Sequence, residues 1–495
     1  MSTAVDASAV ARVVGIKTTF KDLRAGAVAL LPQRVALVGQ GATASTYATT
    51  KAQVFSAFEV GSTYGFGSPL HLAAKQLLPA NGDGLGSIPL TVYPLDDDVS
   101  GVAAAGNVIP SGSVTEDTNY IVRVNNIDSD AFTVSSGDAV ADIIDKMVEA
   151  VNAVLDMPVV AADGTTQLDL TAKWEGASGN DLYVEIVGSA TAGVSYAVTQ
   201  PTGGATNPDV DTALNQVGDV WETLFLNCME IADTTTLGKF ATFGEGRWGA
   251  LLKKPMMAFT GNTEATVATA ITVTDARATD RVNSQLVAPG SNDLPFVVAA
   301  RQLARIAVIA NNNPPTDYAA QRADGLTPGT DAEQWTYTQR DTAIKGGSST
   351  IEVKDSVIQL SDTVTMYHPS GDPTPAYRYV VDVVKLQNII YNLELIFAAA
   401  DWAGAPLIPD DQATTNRNAR KPSAAKAAVA AMLDSLGLEA IISDPETAKA
   451  STTAVINSSN PKRLDVTLTV QLSGNTNIIS IDLDFGFYFG VAPIV

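Results

Sequence analysis

The sequence predicts a multi-domain protein of mixed α/β and α+β class. A discontinuous α/β sheet domain is interrupted by a mostly-β insert and followed by an α+β C-terminal domain with terminal strand arms. Three observations carry this reading. Short apolar runs alternate with amphipathic helical stretches over 27–95 and again over 209–330, the rhythm of a mainly parallel sheet with helices on both faces. Between them, over 96–208, Asp, Gly, Ser and Thr rise and short strands replace that rhythm. After a Pro/Gly/Asp-rich bridge, 331–475 mixes short strands with helices, and 476–495 closes on an aromatic-rich strand pattern. A chain of 495 residues is too long for one hydrophobic core.

Residues 1–26 contain Val10, Val13, Val14 and Ile16, whose β-branched side chains suit a short strand or an extended arm. Residues 33–39, Q-R-V-A-L-V-G, read as a buried parallel strand. Gly39-Gln40-Gly41-Ala42-Thr43-Ala44 then matches the looser G-x-G-x-x-A dinucleotide fingerprint. Its physics would be a tight turn and a helix N-terminus facing a pyrophosphate. An acidic ribose ligand should close a second strand about 20 residues on. Glu59 has the right spacing, but 52–59 reads as helix, so a plain strand-to-loop turn is preferred. A nucleotide-binding cytosolic enzyme using the Gly39-Gln40-Gly41 turn is the alternative. Ser68 reads as an N-cap and Pro69 as the first residue of a helix with Leu70, Ala73, Ala74, Leu77 and Leu78 along its apolar stripe. A strand at 88–93 follows.

In the insert, strands are expected at 120–124, 167–170, 181–187 and 194–198. A helix is expected at 138–156, with Val140, Ile143, Ile144, Met147, Val151 and Val154 on one face. The α/β rhythm resumes with strands at 223–226, 255–259, 281–287 and 305–310, and with helices near 236–251, 264–276 and 294–303. Two short strands, I-E-V-K and V-I-Q-L, fall within 346–366. The clearest helix spans 379–402, where Tyr379, Val383, Leu386, Ile390, Leu393 and Phe397 recur at steps of four and three; a core helix fits better than a coiled coil of so few heptads. A further helix at 423–436 is expected to stop at Gly437.

The last stretch alternates Leu464, Val466, Leu468, Val470 and Leu472 with Asp465, Thr467, Thr469 and Gln471, a half-buried strand. Turn residues at 473–476 lead to a second strand with Ile479, Ile481, Leu483, Phe485, Phe487 and Phe489 on one face. An antiparallel hairpin is expected. It either closes the chain's own core or adds to a neighbouring copy, because a two-stranded hairpin with open edges is marginal alone.

The totals exclude several functions. Net charge is −22, which argues against nucleic-acid binding. No uncharged run of 18 apolar residues occurs and the start lacks signal-peptide character, so neither a membrane span nor a leader is expected. Cys228 is the single cysteine and His71 and His368 the only histidines. No P-loop, G-x-S-x-G, H-E-x-x-H or C-x-x-C occurs, so no catalytic, metal or cofactor site is expected. His71 reads as a satisfied core or surface histidine, Cys228 as a buried inert thiol and Asp96-Asp97-Asp98 as a solvated loop. The cluster Arg417, Arg420, Lys421 stands out on so acidic a chain, either as a solvated loop or as a contact for an acidic partner.

The ordered combination of R-V-A-L-V-G-Q-G-A (34–42), F-G-S-P-L-H-L-A-A-K (66–75), the 377–393 helix and the closing L-D-V-T-L-T-V-Q-L and I-S-I-D-L-D-F-G-F-Y-F-G resembles the contractile tail sheath proteins of Mu-like bacteriophages. The likeness covers most of the chain and is weakest over 96–208. It implies a structural, non-enzymatic subunit without cofactors. Many copies would form a helical homo-oligomer around an inner tail tube, meet baseplate and tail terminator proteins, and contract to drive the tube through the host envelope. It implies a virion component assembled in the host cytoplasm, with no nucleic acid bound and no direct membrane insertion. Donor arms at about 2–20 and 476–490 would add strands to neighbours. Acceptors would lie near 346–366 and 464–472, the insert would face outward, and Arg417, Arg420 and Lys421 would meet the tube.

Overall fold

The computed structural model describes residues 29–189, 193–372, 376–476, 481–483 and 485. They fall into two compact units, one within Ala27–Ala403 and one from Gly404 onward.

A seven-stranded sheet forms the core of the first unit. From one edge its strands run Ser348–Ser349, Asn283–Val287, Met257–Asn262, Leu224–Asn227, Val35–Gln40, Leu90–Leu95 and Ala52–Val54. Every neighbouring pair is parallel except the last, where Ala52 lies opposite Val92 in an antiparallel edge. The Val35–Gln40 strand is buried along its whole length, as a parallel strand covered on both faces must be. Helices Pro69–Leu77 and Pro295–Asn312 pack together and against the sheet. Phe240 and Phe243 of helix Thr234–Trp248 set their rings edge-on to Phe225. The first turns of helix Val380–Ala398 bring Val380, Val381, Val383 and Val384 into the same core.

Three local expectations change. Residues 305–310 are not a strand; they continue the helix Pro295–Asn312. A short apolar run cannot distinguish buried strand from buried helix, and Ala304, Ile306, Ala307 and Ala310 are all fully buried here. Residues 52–59 divide into strand Ala52–Val54 and a helix that starts at Ala57, where the Ser56 hydroxyl caps the Glu59 amide at 3.2 Å. Gly437 does not stop its helix, which spans Pro422–Leu438; the reversal comes at Ala440, with φ of 56°.

Residues 103–202 form two four-stranded sheets and helix Val140–Ala153. Strand Ala103–Gly112, with sequence A-A-A-G-N-V-I-P-S-G, lacks a clean alternation and was not legible in the sequence. Polar contacts hold these sheets to the parallel one: Lys75 Nζ to Asp156, Lys173 Nζ to the Phe66 carbonyl at 3.1 Å, and Asn207 Nδ2 to Glu230 at 2.8 Å.

In the second unit, helix Pro422–Leu438 buries Ala425, Val429, Met432, Leu433 and Leu436. Helix Pro445–Ser451 packs beside it, capped by Asp444. Strand Leu464–Thr467 pairs antiparallel with Thr453–Ile456, Val466 opposite Ala454. This partner precedes the strand and is not the one the expected hairpin names; of that hairpin's second strand only residues 481–483 and 485 are described. The connection at 457–463 carries its own turn chemistry: Asn457 Oδ1 accepts from the Ser459 and Asn460 amides at 3.0 Å each. Ile481, Leu483 and Phe485 lie in no strand. Val10, Val13, Val14, Ile16, Ile479, Phe487 and Phe489 lie outside the described residues.

Candidate assembly surfaces

The glycine turn after the first strand is closed to a ligand. The Gly41 amide donates to Tyr47 Oη at 3.0 Å, and the Ala42 and Thr43 amides donate to the Tyr64 and Lys173 carbonyls at 2.7 and 2.8 Å. No helix begins there, so the turn lacks both the free amides and the positive helix end that a pyrophosphate needs. The crevice beyond the carboxyl ends of the parallel strands, where open α/β sheets hold ligands, is lined by Asp181, Glu230, Glu264 and Glu333 and by no lysine or arginine. Burial raises the Glu230 carboxyl above its ordinary range. Such a crevice offers no cation to a phosphate.

The other titratable candidates serve the core. His71 is 3% exposed, and its Nδ1 accepts from the Gly67 amide at 3.0 Å. Burial pushes it down to about 4, against the opposing pull of Asp156. His368 Nδ1 meets the Met366 carbonyl at 2.7 Å, and its Nε2 faces Asp275 at 3.4 Å. Cys228 is buried and its thiol pushed up by desolvation, hence inert. Asp97 accepts from Gln40 and Thr43, and Asp98 from Ser100. Among the described residues no three His, Cys, Asp or Glu side chains group to hold a metal, and no helix is long and apolar enough to cross a membrane.

What remains uncovered is apolar and extended. Along 464–472, Leu464, Val466, Leu468, Val470 and Leu472 are half-buried while Thr467, Thr469 and Gln471 are exposed. The period of two is as the sequence reads, yet none of the five apolar side chains is fully covered. Val455 on the paired strand is 55% exposed. Further along the chain, Ile481, Leu483 and Phe485 are 79%, 79% and 86% exposed. In the first unit, Ile351–Lys354 and Val357–Leu360 form a hairpin turning at Asp355 and Ser356, both at positive φ. One edge of Val357–Leu360 is bonded by 320–323.

The basic loop is tied to itself. Arg420 donates its amide to the Pro406 carbonyl at 2.9 Å, and Lys421 Nζ reaches the Asp410 carbonyl at 2.9 Å. Arg417 is exposed, whereas Arg420 and Lys421 are half-buried. Lys421 also precedes Pro422 at the start of its helix, a position invisible in the charge pattern alone.

No family model matches the chain. A Mu-like prophage FluMu tail sheath protein from Haemophilus influenzae is 26% identical over 361 residues, 71% of this chain and 72% of that one. The sheath tail protein Lin1278 from Listeria innocua superposes with a TM-score of 0.50 at 14% identity, covering 91% of this chain and 94% of that one. A sheath tail protein from Desulfitobacterium hafniense gives a TM-score of 0.45 at 12% identity, with 92% and 100% covered.

Proposed function

We infer that this chain is a contractile phage tail sheath protein of the Mu-like kind, the repeating subunit of a helical sheath. It is a structural component of the virion tail. Copies polymerise around an inner tail tube, meet the baseplate at one end and a tail terminator at the other, and assemble in the host cytoplasm. The observation that carries this reading is the half-open sheet at 453–467 followed by exposed, alternating Ile481, Leu483 and Phe485, on a chain similar to a tail sheath protein over most of its length. Monomer logic leaves these surfaces wet. Strand addition covers them: main-chain ladder bonds give strength and alternate side chains set register.

In this reading Val10, Val13, Val14, Ile16, Ile479, Ile481, Leu483, Phe485, Phe487 and Phe489 belong to donor segments, and Leu464, Val466, Leu468 and Val470 to an acceptor strand. Region 346–366 offers a second acceptor edge, the insert at 96–208 faces outward, and Arg417 is the exposed one of the three basic residues of a tube-facing loop. Contraction releases free energy stored in a metastable packing as subunits turn between two arrangements. It calls for no nucleotide, in keeping with the closed glycine turn and acidic crevice.

Electron microscopy and sedimentation of the full chain beside a chain ending at Ser473 test this. The full chain is expected to form tubes or rings. The shorter one is expected to remain a folded, soluble monomer, because Leu464–Thr467 keeps its internal partner. A full chain that stays monomeric at high concentration, or a truncated chain that still forms tubes, overturns the reading.

A further inference from the structure

Just before the first sheet strand, the main chain at 29–33 runs past three asparagine side chains. The Ala29 carbonyl accepts from Asn392 Nδ2 at 3.0 Å, the Leu31 amide donates to Asn388 Oδ1 at 2.9 Å, and the Gln33 amide donates to Asn311 Oδ1 at 3.0 Å. The contacts recur every second residue, the spacing at which one edge of a β-strand presents its polar groups. Among the described residues no strand lies on this edge, and the amides stand in for one. Asn388 and Asn392 are four apart on helix Val380–Ala398 and therefore share a face; Asn311 comes from the end of helix Pro295–Asn312. Each is itself held. Asn388 Nδ2 donates to the Val384 carbonyl at 2.9 Å, Asn392 Nδ2 also to the Asn388 carbonyl at 2.8 Å, and Asn311 Nδ2 to Asn312 Oδ1 at 3.1 Å. Leu31 and Gln33 are buried. Asn388 is fully buried and Asn392 nearly so, which makes their bonds costly to leave unmade.

We propose that Asn311, Asn388 and Asn392 form a clamp on the main chain at the root of the N-terminal arm. It fixes where the arm leaves the folded unit and passes tension from a neighbouring subunit into two core helices. This rests on the sheath reading, in which residues 2–20 reach a neighbour. A freely hinged root would let the arm peel from its own subunit under load. Three bonds in register with the chain make the load shared before it reaches Val35.

The test uses full-length Asn388→Leu/Asn392→Leu, which keeps side-chain bulk and removes the bonds, beside Ile144→Ala, at a fully buried position of helix Val140–Ala153, as a control that lowers stability elsewhere. Hydrogen exchange at the Leu31 amide, whose acceptor is Asn388, is expected to speed up at least tenfold in the double variant and not in the control. Tubes of the double variant are expected to fragment on contraction while control tubes stay connected. If the double variant fails to fold, Asn388→Leu alone carries the same expectation for Leu31 exchange. Unchanged exchange, or intact contracted tubes from the variant, overturns the clamp. A wild-type chain that forms no tubes overturns the sheath reading instead, and leaves the exchange measurement to decide whether the segment is held.

Discussion

Gly41 illustrates how a residue acquires its meaning from neighbours. A Cβ there would sit 2.3 Å from the Tyr47 ring and 2.7 Å from the Tyr64 carbonyl. The glycine is required because two aromatic residues close on it, whereas the sequence pattern suggests room for a phosphate. Gly41→Ala is expected to cost about 1–3 kcal/mol through overpacking, read as a lower denaturant midpoint, and to alter no nucleotide affinity in a stoichiometric ATP or NAD binding assay. His71 supplies a pH dependence. Its folded value lies below the ordinary one, at about 4 against 6.5, so the unfolded chain takes up the proton first. Stability contributed by the neutral imidazole is present above pH 6.5 and is lost as pH falls towards 4, on the order of 3 kcal/mol. His71→Gln is expected to flatten that window in a plot of unfolding free energy against pH. By contrast, the Ser68 cap and Pro69 start were readable because both act within one helical turn.

At the scale of elements, the five central strands of the sheet were legible from their apolar runs and the flanking helices from their periodicity, whereas the edge strands Ser348–Ser349 and Ala52–Val54 were not. The end of helix Pro295–Asn312 was not, since R-I-A-V-I-A is apolar enough for either state and only packing against the sheet selects one. Leu303→Ala, in the fully buried middle of that helix, is expected to cost about 2–5 kcal/mol in a denaturant melt. The C-terminal strand was legible in its alternation, whereas its pairing with Thr453–Ile456 was not. A period of two names the faces of a strand, but the partner depends on which turn closes first, here the one built by Asn457. Asn457→Ala removes the acceptor of two amides and is expected to cost about 1 kcal/mol, with faster exchange at 453–456.

For the whole molecule, net charge sets a cost on assembly. A subunit of −22 packed against copies of itself works against like-charge repulsion. Raising salt from about 0.05 to about 0.5 M shortens the screening length and is expected to lower the concentration at which tubes sediment. An unchanged or higher threshold would mean that local ion pairs between copies dominate. The −22 total, the lone cysteine and the missing nucleotide and metal motifs bounded the function before any fold was known.

The sequence by itself determined the composition, the faces of its strands and helices, and the ordered stretches shared with tail sheath proteins, because these depend on residue type and short-range period. The tertiary structure decided which strand pairs with which, that the glycine turn is filled by Tyr47, that Lys421 is tied to the Asp410 carbonyl, and that three asparagines from two helices meet the chain at 29–33. Such contacts, whether six positions apart as at Gly41 and Tyr47 or 357 apart as at Leu31 and Asn388, obey packing and hydrogen-bond satisfaction, and neither leaves a period in the sequence.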